Sequence, residues 1–354
     1  MLIVRVGAMG DVLHAMPAVA ALREAHPEWS IGWVVEPRWL PLLQADSGHA
    51  GRGPKMPLVD RTYLATTRDW KKSPLSSKTL GDITSLRREL RRERFDLCVD
   101  MQGSIRSAVI GKMAGANTFV GLNDPRETPA RWFYRQRVKT TAAHVVEQGC
   151  ELLGEAVGEV LRPARVELPV DEFAEETCLA QLARVPDAAA GFVLLAPGAG
   201  WGAKQWPAER YGEVAAALDR AGYRVLVNAY SIDDPLAKAV VSASGGRAAV
   251  FPCDMAQLIA LTRRAALVIA GDTGPLHLAA ALERPVVALF GPTDPARNGP
   301  YGPERSRVLR HGGARRDHRR RAEPEAGLLA ISVDEVVAAA LDLLQDGRAQ
   351  VQVR

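Results

Sequence analysis

The sequence has no apolar run near the roughly 18 residues that a membrane-spanning helix needs, so we expect a chain that does not cross a membrane. The opening stretch MLIVRVGAMG is a short apolar run interrupted by Arg5, and it predicts a buried strand rather than an export signal. Cysteine is scarce, with four residues far apart and no CxxC pair, which argues against a metal-ligand cluster and favours reduced thiols in the cytoplasm. These cysteines are Cys98, Cys150, Cys178 and Cys253.

Aromatic residues are also few, at 6% of the chain, and they are not interleaved with basic residues as a nucleic-acid stacking surface requires. The net charge is a modest +4, but arginine is concentrated in SLRRELRRERF (85–95) and in RHGGARRDHRRR (310–321). In the first segment, the spacing of Leu86 and Leu90 predicts a helix that packs through its leucines. Its arginines are then either simply solvated or a surface for an anionic partner.

With 354 residues, the chain is long enough for two domains that each bury a core. Short apolar runs alternate with stretches of helical spacing, which indicates parallel sheets covered by helices. The predicted strands lie in 2–6, 30–36, 95–103, 118–122, 191–200, 224–230 and 266–271, and the predicted helices lie in 11–27, 85–95, 105–116, 208–223, 255–265 and 332–346.

The pattern therefore predicts an α/β protein of two Rossmann-like domains that face each other across a cleft, with ligands at the carboxyl ends of the strands. We expect residues 1–170 to form the first domain, 171–331 the second, and 332–354 a closing helix and tail. Residues 48–82, rich in Gly, Pro, Ser, Lys and Arg, predict a long surface loop.

Three strand-to-helix turns carry residues suited to chemistry. In VGAMGDVLH (6–14), Gly7 and Gly10 allow close approach to a ligand, and Asp11 is either a proton acceptor or an ordinary helix cap. In GDTGPLH (271–277), the helix start after Asp272 suits phosphate oxygens, although the same residues could cap a buried helix around a satisfied core histidine.

The third turn, APGAGWGAKQWP (196–207), combines glycines with a single lysine, Lys204. Backbone amides and one cation there suit the charge on a leaving diphosphate. Trp201 and Trp206 are expected to pack beneath the turn.

Taken in order, GDVLHAMPAVAALR, PGAGWGAKQWP and GDTGPLHLAAALERPVVALFGPTDP resemble glycosyltransferase family 9, the ADP-heptose:lipopolysaccharide heptosyltransferases. The segments DMQGSIRSA (100–108), DPRETPARWFYRQRV (124–138) and HVVEQ (144–148) are similar to the heptosyltransferase I branch. The resemblance spans most of the chain. It implies a GT-B fold, whose final helix crosses back to the N-terminal domain, and metal-independent inversion at the anomeric carbon of the sugar. In agreement with that, we find no DxD-type acidic pair at a strand end.

The resemblance also implies roles for individual residues. Asp11 matches the general base and Lys204 the lysine near the donor phosphates, and the two make up the expected catalytic set. Donor contacts are expected at Gly10, Ser231, Asp272, Thr273, Gly274 and His277. Of these, Thr273 and Gly274 match backbone donors to the diphosphate, and Asp272 would hold heptose hydroxyls. Ser231 stands where the branch usually carries an acidic residue for the ribose.

A Kdo-lipid A acceptor is implied as the second substrate, with ADP-heptose as co-substrate, no cofactor and no metal. Its phosphates and carboxylates would meet a basic cluster. The expected acceptor contacts are Arg68, Lys71, Lys72, Gln102, Arg106 and Arg126. Because that acceptor is membrane-borne, we expect a cytoplasmic protein loosely associated with the inner face of the cytoplasmic membrane. No nucleic-acid partner is expected.

Three alternatives remain at this point. The chain could be a family 9 transferase that uses another nucleotide sugar or acceptor, a GT-B-like nucleotide-sugar epimerase, or a binding protein that has kept the fold without catalysis. The presence of both Asp11 and Lys204 argues against the last. The role of the arginine-rich 310–321 segment is left open.

Overall fold

The computed structural model describes residues 1–45, 51–188, 191–315 and 321–352. They form two compact units, Met1–Val170 and Asp171–Arg354. Each unit contains one parallel six-stranded sheet with its own helices, which confirms the predicted α/β class. No helix among the described residues combines the length and hydropathy that a membrane span requires.

The first unit contains strands β1 to β6 and helices α1 to α5. The strands are β1 (Leu2–Val4), β2 (Gly32–Val35), β3 (Arg61–Leu64), β4 (Leu97–Asp100), β5 (Thr118–Leu122) and β6 (Gln136–Val138). The helices are α1 (Met9–Ala25), α2 (Thr67–Lys72), α3 (Ser77–Arg92), α4 (Ile105–Ala114) and α5 (Val145–Val157). Two 3-10 helices cover Pro37–Leu42 and Thr128–Phe133.

The strand order in this unit is β3-β2-β1-β4-β5-β6. Register pairs such as Ile3 with Trp33 and Ile3 with Val99 place β1 between β2 and β4. The residues LIV of β1 and GWVV of β2 are fully buried. Their apolar composition is what a strand covered on both faces of a parallel sheet requires. The chain reverses its direction of sheet growth between β1 and β4.

The second unit contains strands β7 to β12 and helices α6 to α13. The strands are β7 (Phe192–Ala196), β8 (Arg224–Ala229), β9 (Ala248–Pro252), β10 (Leu267–Gly271), β11 (Val286–Leu289) and β12 (Ser306–Leu309). The helices are α6 (Glu172–Leu182), α7 (Ala208–Arg220), α8 (Pro235–Ala243), α9 (Met255–Arg264), α10 (Gly274–Ala281), α11 (Pro295–Asn298), α12 (Ala326–Leu329) and α13 (Val333–Gln352). A short 3-10 helix covers Gly202–Lys204.

The strand order here is β12-β11-β10-β7-β8-β9, so growth reverses between β7 and β10. Trp206 is 1% exposed and stacks edge-on against Tyr211 in the core, which confirms its expected packing role. Helix α13 packs against α7 and strands β10 to β12 of this unit. That its end returns to the first unit stays a prediction.

The prediction of one long loop over 48–82 was wrong. Within its described part, strand β3 pairs with β2, helix α2 follows, and α3 begins at Ser77. Tyr63 is 6% exposed and packs edge-on against Phe95, which fixes the strand in place despite its polar sequence. The Ser76 hydroxyl accepts from Thr79 N at 3.1 Å and caps α3. Residues 46–50 lie outside the described residues.

Candidate active site

Both sheets have the doubly wound strand order in which ligands bind at the carboxyl edge, beside the strands where growth reverses. In the first unit, the segments leaving β1 and β4 at that edge are residues 5–11 and 101–104. In the second unit they are residues 197–204, after β7, and residues 272–274, after β10. Three of these four segments are the turns singled out from the sequence.

Asp11 lies in the first turn of α1, three residues after the N-cap residue Ala8. Its Oδ2 accepts from Ala8 N at 3.0 Å, and its Oδ1 lies 3.2 Å from Arg5 Nη2. The side chain remains 35% exposed. The carboxylate is therefore oriented by two partners and still open to an incoming group.

Arg5 ties the two turns of the first unit together. Its guanidinium donates to Met101 O, and its Nε donates to Asp11 O at 3.0 Å. Gln102, an expected acceptor contact, uses its Oε1 to accept from Val6 N at 2.8 Å and Gly7 N at 3.3 Å. The Gln102 side chain thus supports the segment that carries Asp11, and its acceptor role stays a prediction.

Asp100 anchors the turn after β4 from a fully buried position. One carboxylate oxygen accepts from Gln102 N and Gly103 N at 2.8 and 3.1 Å. The other accepts from the Ser107 and Tyr134 hydroxyls at 2.9 and 2.8 Å. Burial raises the pKa of Asp100, although these four hydrogen bonds oppose the rise.

The basic residues expected to contact the acceptor are exposed in the first unit. Arg68, Lys71 and Lys72 lie on α2, and Arg68 N donates to the buried Glu36 at 3.0 Å. Arg106 lies in the first turn of α4, and Arg126 lies beside Gly103 in the chain between β5 and the 3-10 helix. Gly10 is half-buried in α1.

In the second unit, Asp272 is the centre of a buried polar cluster at the end of β10. Its Oδ2 accepts from Lys204 Nζ at 2.5 Å and from the Thr293 hydroxyl at 2.6 Å. Its Oδ1 lies 3.1 Å from His277 Nε2. The side chains of Asp272 and His277 are each only 6% exposed.

These partners change the acidity of Asp272. Burial alone would raise its pKa, but the hydrogen bond to His277 and the charge of Lys204 outweigh burial and hold the pKa well below its usual range. The carboxylate is therefore ionised and already has three partners. Its expected contact with heptose hydroxyls stays a prediction.

The start of α10 lies directly beside this cluster. Thr273 is the N-cap residue, but its hydroxyl bonds to Gly271 O at 3.3 Å and does not cap the helix. The first N–H groups of a helix have no intrahelical partner, and the positive end of the helix dipole lies there. The N-terminus of α10, beginning at Gly274, is thus suited to phosphate oxygens.

Lys204 ends the 3-10 helix of the turn after β7, with its Nζ 5.1 Å from the Trp201 ring centroid. Two backbone hydrogen bonds join this helix to the chain before α12, from Ala203 N to Arg321 O and from Glu325 N to Ala203 O. The end of the 310–321 segment therefore lies against the Lys204 turn. Residues 316–320 of that segment lie outside the described residues.

Ser231 lies after β8, exposed, and its hydroxyl accepts from Asp233 N at 3.2 Å. Asp233 is itself exposed and pairs with Lys238. Among the described residues, no group of three or more His, Cys, Asp or Glu side chains is placed to hold a metal ion.

Sequence reasoning missed three residues of these clusters: Arg5, Asp100 and Thr293. The one available signal for Arg5 was its position in the apolar run LIVRV. A charged side chain at the end of a buried strand is normally paired. Asp100 and Thr293 stood inside quoted motifs, but their partners lie up to 34 residues away in sequence.

Comparison with known proteins shows which family this chain resembles. The sequence model of glycosyltransferase family 9 (heptosyltransferase) matches residues 83–326. Lipopolysaccharide heptosyltransferase 1 of Pseudomonas aeruginosa is 30% identical over 305 residues, which cover 85% of this chain and 81% of the relative. The Escherichia coli K12 protein of the same name is 28% identical over 85% of this chain and 90% of its own length.

The solved structure of the E. coli heptosyltransferase WaaC with ADP is similar with a TM-score of 0.76 and 24% identity. The match covers 97% of this chain and 99% of that one, and it confirms the predicted GT-B fold class. The family match spans more than half of the sequence, and the P. aeruginosa relative is similar over most of it. The chain belongs to glycosyltransferase family 9, the heptosyltransferases, and is a glycosyltransferase.

Proposed function

We propose that the protein transfers heptose from ADP-heptose to the Kdo/inner-core region of lipopolysaccharide, with inversion and without a metal ion. The observation that carries the proposal is the similarity over 85% of the chain to two proteins named lipopolysaccharide heptosyltransferase 1. A solved heptosyltransferase structure with ADP-2-deoxy-2-fluoro heptose has the same fold, with a TM-score of 0.73. Both residues of the expected catalytic set stand at the carboxyl edges of their sheets.

The second unit would hold the donor. The diphosphate would lie at the N-terminus of α10, where the Thr273 and Gly274 segment offers N–H groups and the dipole. Lys204 has three ammonium hydrogens, and two are directed to Asp272 Oδ2 and O, at 2.5 and 3.4 Å. One hydrogen is left for a phosphate oxygen, so the helix start carries most of the anion binding.

Asp11 would act as the general base. As the acceptor hydroxyl oxygen attacks the anomeric carbon of heptose, its proton passes to the Asp11 carboxylate, and the bond to the diphosphate oxygen breaks to release ADP. The oriented but 35% exposed carboxylate fits that role. Charge developing on the diphosphate is met by fixed donors, which can lower the barrier by several kcal/mol.

The acceptor would be Kdo-lipid A, met by the exposed basic residues of the first unit. Arg68, Lys71 and Lys72 on α2 suit its phosphates and carboxylates. Since that acceptor is embedded in a bilayer, the protein would work in the cytoplasm as a peripheral protein at the inner face of the membrane.

The test is to incubate the purified protein with ADP-heptose and Kdo₂-lipid A and to follow both ADP release and acceptor mass. We expect ADP release that depends on the acceptor, together with the gain of one heptosyl unit. If the folded protein transfers sugar only from a different nucleotide sugar, the proposed donor is wrong and the protein has another activity within the family. ADP release without acceptor modification would contradict transfer altogether.

A further inference from the structure

The second half of α3 and the turn after it carry five arginines close together in the sequence. Spacings of three and four residues place Leu80, Thr84, Arg87, Arg88 and Arg91 on one side of the helix. The buried residues Leu86 and Leu90 lie on the opposite side. Thr84, Arg87, Arg88, Arg91, Arg92 and Arg94 line one open groove of about 550 Å³. We call these five arginines the arginine stripe.

Most of the arginine stripe is electrostatically unsatisfied. Arg91 is the exception, since its Nε donates to Met113 O at 3.3 Å. The other four are exposed and have no carboxylate partner among the described residues. The nearby Glu93 is engaged with Arg61, and Glu89 accepts from the Ser85 hydroxyl. Five cations gathered in this way repel one another, and an anionic surface would offset that repulsion.

Two exposed leucines accompany the stripe. Leu80 is 53% exposed on the same side of α3, and Leu75, just before the helix, is 87% exposed. The groove has no aromatic side chain on which a nucleic-acid base could stack. From Leu80 to Arg92 the helix runs about 18 Å, so the exposed side combines an apolar end at Leu80 with a cationic end. That combination suits a lipid surface.

The position of α3 in the chain links the stripe to acceptor binding. Helix α2, which carries Lys71 and Lys72, is joined to α3 by a short turn in which Ser76 N donates to Ser73 O at 3.2 Å. The Thr79 hydroxyl donates to Ser73 O at 2.8 Å and holds the two helices together. The proposed acceptor residues and the exposed leucines therefore lie at the same end of α3.

We propose that the arginine stripe docks the protein on an anionic phospholipid bilayer, with the stripe on the lipid phosphates and Leu75 and Leu80 at the interface. The choice of partner rests on the proposed function, because a lipid-anchored acceptor has to be met at a bilayer. Each arginine near an anionic surface adds a similar increment of binding, and the increments fall as salt rises.

The experiment measures co-flotation of the full chain with phosphatidylcholine vesicles that contain or lack phosphatidylglycerol. The wild type is expected to float with the anionic vesicles only, and less so at high salt. The variant R87E/R88E/R92E is expected to bind them more than about 100-fold more weakly. The variant R87Q/R88Q/R92Q, which only neutralises the charges, is expected to fall between the two.

A matched control reverses the charge of three scattered exposed arginines, Arg162, Arg184 and Arg220. The control changes the net charge equally, so it should keep most of the vesicle binding. Equal losses in R162E/R184E/R220E and in the stripe variant would overturn the inference, as would wild-type binding to duplex DNA with none to anionic vesicles.

Heptose transfer to a water-soluble, delipidated acceptor separates this inference from the proposed function. The stripe variant is expected to keep that transfer while it loses vesicle binding. If the wild type binds vesicles through the stripe but transfers no sugar, the proposed function fails and the docking surface stands. If transfer occurs and the stripe variant still floats like the wild type, only the docking surface fails.

Discussion

The Asp272 carboxylate fixes three side chains at the end of β10, and each of them comes from a different part of the chain. Lys204 is 68 residues away in sequence and Thr293 is 21. The sequence predicted the helix start at Thr273 and singled out Lys204 as a candidate, because glycines, a proline and a lone cation are local signals. It did not predict that Lys204 is paired with Asp272, since tertiary contacts decide which side chains meet.

Removing Lys204 would leave the buried Asp272 carboxylate without its cation. We expect Lys204→Met to lower the free energy of unfolding by about 3 kcal/mol or more, because breaking a buried ion pair strands a charge. The matched control is Lys238→Met, which breaks the exposed pair with Asp233 and should cost less than about 1 kcal/mol. Urea denaturation of both variants measures the difference, and similar losses would contradict the buried-pair account.

The lowered pKa of Asp272 predicts a pH dependence. The Asp272 carboxyl binds a proton less readily in the folded protein than in the unfolded chain. Its contribution to stability is therefore present above the ordinary pKa of about 3.9 and is lost as the pH falls below that value. Asp272→Asn should therefore flatten the acid side of the stability profile. Asp233→Asn, at an exposed position, is the control and should leave the profile unchanged. An unchanged slope in Asp272→Asn would count against the shift.

Among the elements, strands β1, β2, β4, β5, β7, β8 and β10 and helices α1, α3, α4, α7, α9 and α13 were predicted, and the segment between β2 and α3 was not. Buried parallel strands such as FVLLA of β7 are continuous apolar runs, and α9 carries a clear capping box at Asp254. Strand β3 has the polar sequence RTYL. It forms because it pairs with the edge of β2 and because the Tyr63 ring packs edge-on against Phe95. Composition alone therefore suggested a loop.

The turn between β4 and α4 depends on one buried acid. Asp100→Ala would remove the acceptor of two backbone N–H groups and of the Ser107 and Tyr134 hydroxyls. We expect a loss of about 3 kcal/mol or more in the free energy of unfolding, because buried donors are left unsatisfied. Asp96→Ala, at an exposed site beside the same strand, should cost less than about 1 kcal/mol. Thermal and urea unfolding compare the two, and equal costs would contradict the anchoring role.

For the whole molecule, the parallel sheets and their covering helices follow from the alternation of strands and helices and were predicted, whereas the strand orders come from the structure. The expected cleft between the two units stays a prediction. Sequence periodicity indicates the helices and strands within each unit and carries no information on how two units are arranged. The candidate functional turns, which follow β1, β7 and β10, lie at the carboxyl edges because parallel strands all end there.

Assigning the donor to the second unit predicts where ADP protects the backbone. We expect ADP to slow amide hydrogen exchange in residues 198–205 and 272–277, by up to about 100-fold when ADP is present at about 100 times its Kd. Residues 5–11 of the first unit should change less. Hydrogen exchange followed by mass spectrometry resolves these segments, and protection confined to residues 5–11 would contradict the assignment.

The measurement that tests the account most directly is the rate at which Asp11→Asn transfers heptose from ADP-heptose to the acceptor, taken together with its donor affinity by calorimetry. The account predicts a rate about 10² to 10⁴ times lower than that of the wild type at an almost unchanged donor Kd, because only the general base is lost. Asp124→Asn, at an exposed position of the same unit, should transfer at the wild-type rate. Transfer by Asp11→Asn at the wild-type rate would contradict the account.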